Sequence, residues 1–266
     1  MEIAAHSAAQ FIRGHAATLS DLVWESKSPT DFVTEVDTGA EGIIRDLLSP
    51  GPRTRRYVDG RTFQWDVRVV GEELSSAESL DDDGLTFVVD PLDGTTNFLH
   101  GYPWYAVSIG AIVDGELAAG LVLNVPTGEL FTALRGGGAY RNERPIHVST
   151  NAVPQRALIG TGFPFKNLEK LGLYQRQFAA LAGRTAGMRR AGAAALDLCD
   201  VACGRFDAFW ELNLMPWDVA AGMLIIREAG GIVTDLAGAP APVAQGPIVA
   251  ASAAMHQWFL TTLQSA

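Results

Sequence analysis

The run Asp90-Pro91-Leu92-Asp93-Gly94-Thr95-Thr96-Asn97-Phe98 constrains this chain more than any other stretch. It follows Leu85-Thr86-Phe87-Val88-Val89, whose β-branched and aromatic residues read as a buried strand. A strand ending this way brings two carboxylates and two hydroxyls to one sheet edge. Pro91 fixes its own φ and turns Asp90 away from helical geometry. Gly94 permits a sharp turn or a close backbone approach. Thr95 and Thr96 are suited to open a helix, whose free N–H groups suit an anion. One reading is a metal-and-phosphate site. The other is an ordinary strand-to-turn junction, because Asp, Pro and Gly are common turn formers. The rest of the chain favours the first by supplying matching pieces.

With 266 residues, 48% of them hydrophobic, the chain has material for one large domain or two closely packed ones. No stretch approaches 18 consecutive apolar residues, so no membrane span is expected. Met1–His6 lacks a basic segment before an apolar core, so no secretory signal is read and a cytoplasmic setting is expected. A net charge of −10 argues against a broad contact with a nucleic-acid backbone. An acidic protein that handles a phosphate ester needs local positive charge, which bound cations supply. Cys199 and Cys203 stand four apart on a helical run with no nearby His or Cys to complete a zinc site. They read as buried free thiols in a reducing compartment.

Along the chain, residues 2–24 read as an amphipathic helix and residues 38–48 as a second, capped by Asp37 or Thr38. That cap is one role for Asp37; a supporting role at the site is the other. Residues 50–66, with Arg53, Arg55 and Arg56, read as an exposed loop. Val67–Val70 reads as a strand running into Gly71-Glu72-Glu73, and residues 75–84 as an exposed connection. Strands are expected at 106–113, 116–124 and 129–134, with Asp114-Gly115 as a hairpin turn. Gly136-Gly137-Gly138 lacks the Lys-Ser/Thr of a nucleotide phosphate loop and reads as a turn; His147 falls in another short strand. The second half alternates strands and helices, which implies a second sheet with helices on its faces. Residues 1–150 and 151–266 are expected to form two halves of one compact unit, with a soft boundary near 150.

Glu72, Asp90, Asp93 and Asp218 all stand at expected element ends. Asp218 lies just inside a helix opened by Pro216, where an acid also compensates the helix dipole. Carboxylates joined by hydroxyls and backbone carbonyls suit hard cations, Mg²⁺ above all. Without cations such a cluster repels itself and partly protonates.

These blocks, Gly71-Glu72-Glu73, Asp90–Phe98, Pro216-Trp217-Asp218 with Ala220-Ala221-Gly222, and Glu228-Ala229-Gly230-Gly231, resemble the inositol monophosphatase family over nearly the whole chain. Thr161–Phe165 adds a similarity to its bacterial inositol-1-monophosphatase branch. The resemblance implies an α/β fold, an alternating α-β-α-β-α sandwich of the inositol monophosphatase and fructose-1,6-bisphosphatase type. It implies two Mg²⁺, the first held by Glu72, Asp90 and the Leu92 carbonyl, the second by Asp90, Asp93 and Asp218. A third, weaker ion is implied near Glu72. It also implies that Gly94 and Thr95 donate N–H groups to phosphate. The Thr95 hydroxyl, paired with Asp37, then orients a metal-activated water, with no covalent intermediate. Glu72, Thr95 and Asp37 are thus the catalytic candidates.

Substrate recognition is implied for Gly192, Ala193 and Ala194, and for Glu211, which the residues alone equally read as an exposed strand-end charge. Many relatives carry Ser or Thr where this chain has Ala193, which removes one hydroxyl contact. Family members are Li⁺-sensitive homodimers, and the same is implied here. The expected activity is Mg²⁺-dependent hydrolysis of inositol monophosphate or a similar sugar phosphate. One alternative is a sister phosphatase for fructose-1,6-bisphosphate, histidinol phosphate or a nucleotide 3′-phosphate. Another is a regulatory binding protein without turnover.

Overall fold

The computed structural model describes residues 1–19, 22–28, 31–49, 54–58, 61–65, 67–78, 80, 84–165 and 168–266. The chain opens with α1 (Glu2–Ala16), β1 (Glu25–Ser28), β2 (Asp31–Val33) and α2 (Glu35–Leu48). Next come β3 (Thr54–Val58), β4 (Arg61–Trp65), β5 (Val67–Gly71), β6 (Leu85–Asp93) and the short α3 (Thr95–Leu99). A meander follows: β7 (Ala106–Val113), β8 (Glu116–Asn124), β9 (Leu130–Leu134), β10 (Gly138–Arg141) and β11 (Arg144–Pro145). The second half holds β12 (Leu158–Thr161), α4 (Leu171–Leu181), β13 (Gly187–Arg189), α5 (Ala194–Ala202) and β14 (Ala208–Leu214). It ends with α6 (Pro216–Glu228), β15 (Gly231–Thr234), β16 (Gly246–Ser252) and α7 (His256–Gln264).

Strands β5 to β11 form a seven-stranded sheet in chain order, and β13-β12-β14-β16-β15 a five-stranded one. Only β5 and β6 pair in parallel in the first sheet, through the register Gly71↔Val89. Three buried clusters stack these elements in the expected α-β-α-β-α order. In one, Ala5, Ala8 and Ile12 of α1 and Ile44 of α2 pack on Val89 and Ile109. In the central one, Leu198 of α5 and Ile225 of α6 lie between Val122 and Phe209 of the two sheets. In the third, Tyr174 and Leu181 of α4 and Phe259 of α7 cover Trp210 and Val249. Helices α5 and α6 face sheets on both sides, so they are buried nearly all round.

Several boundaries depart from expectation. The first helix stops at Ala16, not at 24: the Thr18 N–H donates to His15 O, three residues back (3.0 Å), and Val23-Trp24, poor helix formers, lead into β1. Helix α2 begins three residues before the expected start. Its cap is Thr34, whose Oγ1 accepts from the Val36 N–H (3.1 Å), and Asp37 reaches back to the Thr34 N–H (2.8 Å). Both side chains of a capping box are thus present. Within 50–66, read as loop, β3 and β4 pair from Thr54↔Trp65 to Val58↔Arg61. Thr62, Phe63 and Trp65 are residue types with the β preference that the neighbouring arginines obscured in the sequence. Residues 20–21, Pro29, Thr30, Arg53 and part of 79–83 lie outside the described residues. His147 is exposed and lies in no strand. The glycine run turns β9 into β10, and both Glu228 carboxylate oxygens accept from it, at the Gly136 and Gly138 N–H groups (2.8 and 2.9 Å). An acid in this position bars it from binding phosphate. Cys199 and Cys203 are free thiols, and burial pushes both thiol pKa values up.

Candidate metal and phosphate site

Strand β6 runs on through Pro91, and its pairing with β7 slips between Asp90 and Asp93. This irregularity lets Asp90 and Asp93 depart from strict alternation. The Leu92 N–H donates to Asp90 Oδ1 (3.0 Å), which holds that carboxylate against its own turn. Gly94 then adopts φ +93° and caps α3. A side chain there would be strained in conformation and would approach Trp104 O (3.0 Å) and the Ala193 side chain (3.3 Å). The first N–H groups of α3 therefore follow directly on the acidic turn.

The parallel register of β5 and β6 sets Glu72 abreast of Asp90, and the Glu72 N–H donates to Val89 O (3.2 Å). Asp218 comes from the first turn of α6, where its Oδ2 accepts from the Met215 N–H (2.7 Å). Asp93 joins the two halves. Its oxygens accept from the Ala194 and Ala195 N–H groups (3.2 and 2.7 Å) at the start of α5. Ala193, the cap residue of α5, has no side-chain acceptor of its own. Asp93 therefore does from another layer what a Ser or Thr cap does locally, and the α5 dipole favours its charge.

A cavity of about 910 Å³ is lined by Glu72, Asp90, Leu92, Asp93, Thr95 and Asp218. Gly94, Gly192, Ala193, Ala194 and Glu211 line it as well. Asp37 stands behind this wall, 1% exposed, and accepts from the Thr95 hydroxyl at Oδ1 (2.9 Å). The same hydroxyl lies 3.1 Å from Leu92 O, so its single proton has two acceptors. Helix capping and contact with Thr95 are both true of Asp37, one through each oxygen. Glu211 is half-buried in mid-strand, not exposed at a strand end.

Burial pushes the Asp90 carboxyl well above the usual range, and repulsion from Glu72, Asp93 and Asp218 adds to it. Asp218 is raised by burial, then by Glu72 and Asp93. Burial also raises Asp37, against the pull of its Thr34 and Thr95 hydrogen bonds. Among the described residues, no three His, Cys, Asp or Glu side chains close around a single point as a metal cage. The acids instead line one open wall together with Leu92. Mg²⁺ keeps several waters and takes few protein ligands, so an open wall whose acidic oxygens repel one another suits it.

Among the cavity-lining residues, Asp197 and Arg190 were not singled out from the sequence. Asp197 of α5 is 2% exposed, and its Oδ1 is buried without a hydrogen-bond partner. Its carboxyl is pushed well up by burial, then by Asp93. The signal was an acid in a helical run whose only other charged residue is Asp200. Arg190 sits over the rings of Phe163 and Phe165 (5.6 and 5.2 Å), cation–π contacts between separate loops that periodicity does not reveal. Asn97, beside the cavity, ties the two halves by donating to Trp104 O (2.7 Å) and Ala191 O (2.9 Å).

The sequence matches the family model described as "Inositol monophosphatase family" over residues 1–266. It is 43% identical to an inositol-1-monophosphatase of Rhizobium meliloti, over 84% of this chain and 79% of that protein. It is 42% identical to the Nus factor SuhB of Pseudomonas aeruginosa, over 98% and 93%. The crystal structure of the extragenic suppressor protein suhB from Bartonella henselae superposes with a TM-score of 0.86 at 37% identity, covering 99% of this chain and 96% of that one. With its layers, its acidic strand ends and its full-length match, the chain belongs to the inositol monophosphatase family.

Proposed function

We propose that the protein is a Mg²⁺-dependent phosphomonoesterase acting on inositol monophosphate or a similar sugar phosphate. What carries the reading is the convergence of Glu72, Asp90, Asp93 and Asp218 on one cavity with the start of α3. Glu72, Asp90 and the Leu92 carbonyl would hold one Mg²⁺, and Asp90, Asp93 and Asp218 another, with a third, weaker ion near Glu72. Bound there, Mg²⁺ supplies Lewis-acid stabilisation of phosphoryl oxygens and lowers the pKa of water. The N–H groups of Gly94 and Thr95 bind the phosphate. The Thr95 hydroxyl, held by Asp37, orients the attacking water, and the phosphate monoester releases its alcohol as the water oxygen bonds to phosphorus. Gly192, Ala193, Ala194 and Glu211 face the alcohol. Li⁺ inhibition, a homodimer and a cytoplasmic setting belong to the same proposal.

The test is phosphate release from a panel of esters, inositol 1-phosphate, fructose-1,6-bisphosphate, histidinol phosphate and a nucleotide 3′-phosphate, compared by kcat/KM with and without Mg²⁺ and Li⁺. Inositol 1-phosphate is expected to lead. No release from any of them by folded protein would falsify the proposal. Asp37→Asn is expected to lower kcat by about 10²-fold with KM little changed, because its hydrogen bond acts on the water rather than on bound ester. A raised KM with full kcat would remove Asp37 from that role.

A second reading, a regulatory binding protein, draws on the name of the Pseudomonas aeruginosa relative. It leaves the four carboxylates without a use. An Asp93→Asn strain with no hydrolysis but an intact cellular phenotype would favour it.

A further inference from the structure

Helix α2 carries more than Asp37. One turn on, Glu41 is completely buried, and Arg45 follows after another turn, so the three share a face. The Glu41 carboxylate accepts from the Glu73 N–H (2.7 Å) and the Leu74 N–H (3.2 Å), and the Arg45 Nε donates to it (2.8 Å). Arg45 also donates to Ser75 Oγ, which accepts from the Gly71 N–H (2.8 Å) and donates to Val69 O (3.2 Å). These bonds tie down the backbone on both sides of Glu72. Gly71 belongs to the same arrangement: a side chain there would collide with the Glu41 carboxylate.

A buried carboxylate needs its partners, and here they are backbone N–H groups of a turn with no regular structure to fix it. We propose that Glu41 is a positioning residue that holds the Gly71–Ser75 turn so that Glu72 faces the metal site. The inference rests on the proposed function. Two successive acids of α2 then serve one cavity, Asp37 orienting Thr95 and Glu41 orienting Glu72. A purely structural role would make Glu41 matter for folding and leave metal affinity intact.

The full-length protein is titrated with Mn²⁺ as a spectroscopic probe, and kcat and KM for inositol 1-phosphate are measured against Mg²⁺ concentration. Glu41→Gln keeps the shape but replaces one acceptor oxygen with a donor. It is expected to weaken Mn²⁺ binding by about 10- to 100-fold, as outer partners of metal ligands do. The loss of kcat is expected to be recovered by raising Mg²⁺, with KM changed less than about twofold, since ester contacts are untouched. Folded Glu41→Gln with wild-type Mn²⁺ affinity overturns the proposal. Glu41→Asp keeps the charge and withdraws it by one methylene, so it decides the matter if Glu41→Gln does not fold. It too is expected to bind Mn²⁺ more weakly, and full affinity in Glu41→Asp overturns positioning in favour of charge alone. Wild-type protein that binds no Mn²⁺ and hydrolyses no ester overturns the functional reading itself, a result separable from either variant.

Discussion

Asp90→Asn is expected to remove hydrolysis while making the metal-free protein more stable. Asp90 is 2% exposed, and Asn preserves its size and the oxygen that accepts from the Leu92 N–H. Only the charge is lost, from the one residue proposed to serve both ions. The fall in kcat should therefore exceed the about 10- to 100-fold typical of an outer partner. In chelator the balance reverses. Burial and the neighbouring Glu72, Asp93 and Asp218 all oppose the Asp90 charge, so its removal relieves repulsion. Relief of about 1 kcal/mol would raise Tm by about 2–4 °C in a chain near this size. Kinetics in Mg²⁺ and thermal melts in chelator read the two effects separately. Near-normal turnover, or a lower Tm in chelator, would contradict the shared-ligand assignment.

The second large effect couples metal, pH and stability. Asp90 and Asp218 have folded-state pKa values raised above their unfolded values. Their contribution to stability is therefore fully present below the ordinary carboxylate range, about pH 4, and is lost as pH rises through the raised values. Metal-free protein should lose Tm progressively above that range. Mg²⁺ competes with those protons, so its stabilising effect should grow over the same interval and be accompanied by proton release. At a hundredfold excess over Kd the gain is about 2.7 kcal/mol, which corresponds to about 5–10 °C. Melts at several pH values, with Mg²⁺ or with chelator, measure the difference. A Mg²⁺ increment that is the same at pH 5 and pH 8 would mean that these acids do not titrate against the ion.

Where local chemistry decided the outcome, it could be read directly. Pro216 opens α6 and Glu228 ends it, as the Pro and the following Gly-Gly announce. Asp114 and Gly115 both take positive φ (49° and 77°), which the Asp-Gly hairpin signal demands. The strand at 106–113 and the one after it were legible because their apolar runs are bounded by that turn. The end of α1 was not legible, because Leu19, Leu22 and Val23 prolong an apolar periodicity that the backbone does not follow. The pairing of β3 with β4 was hidden by arginines. The strand at 187–189 was missed because three residues carry too little period to register.

The same division runs through the site. The acid-rich end of β6, the glycine that must turn and the threonines that must start α3 are dictated by residues adjacent in sequence. Their φ preferences and capping chemistry act over a few bonds. The partnership of Asp37 with Thr95 and the reach of Asp93 to α5 span many residues and are set by how the layers pack. So are the support that Glu41 gives the turn at Glu72 and the burial of Asp197 beside Asp93. A carboxylate looks the same in sequence whether it ends a strand, caps a distant helix or lies buried without a partner. What distinguishes these roles is desolvation and the neighbours that packing brings, and those exist only once both sheets and the helices between them are in place.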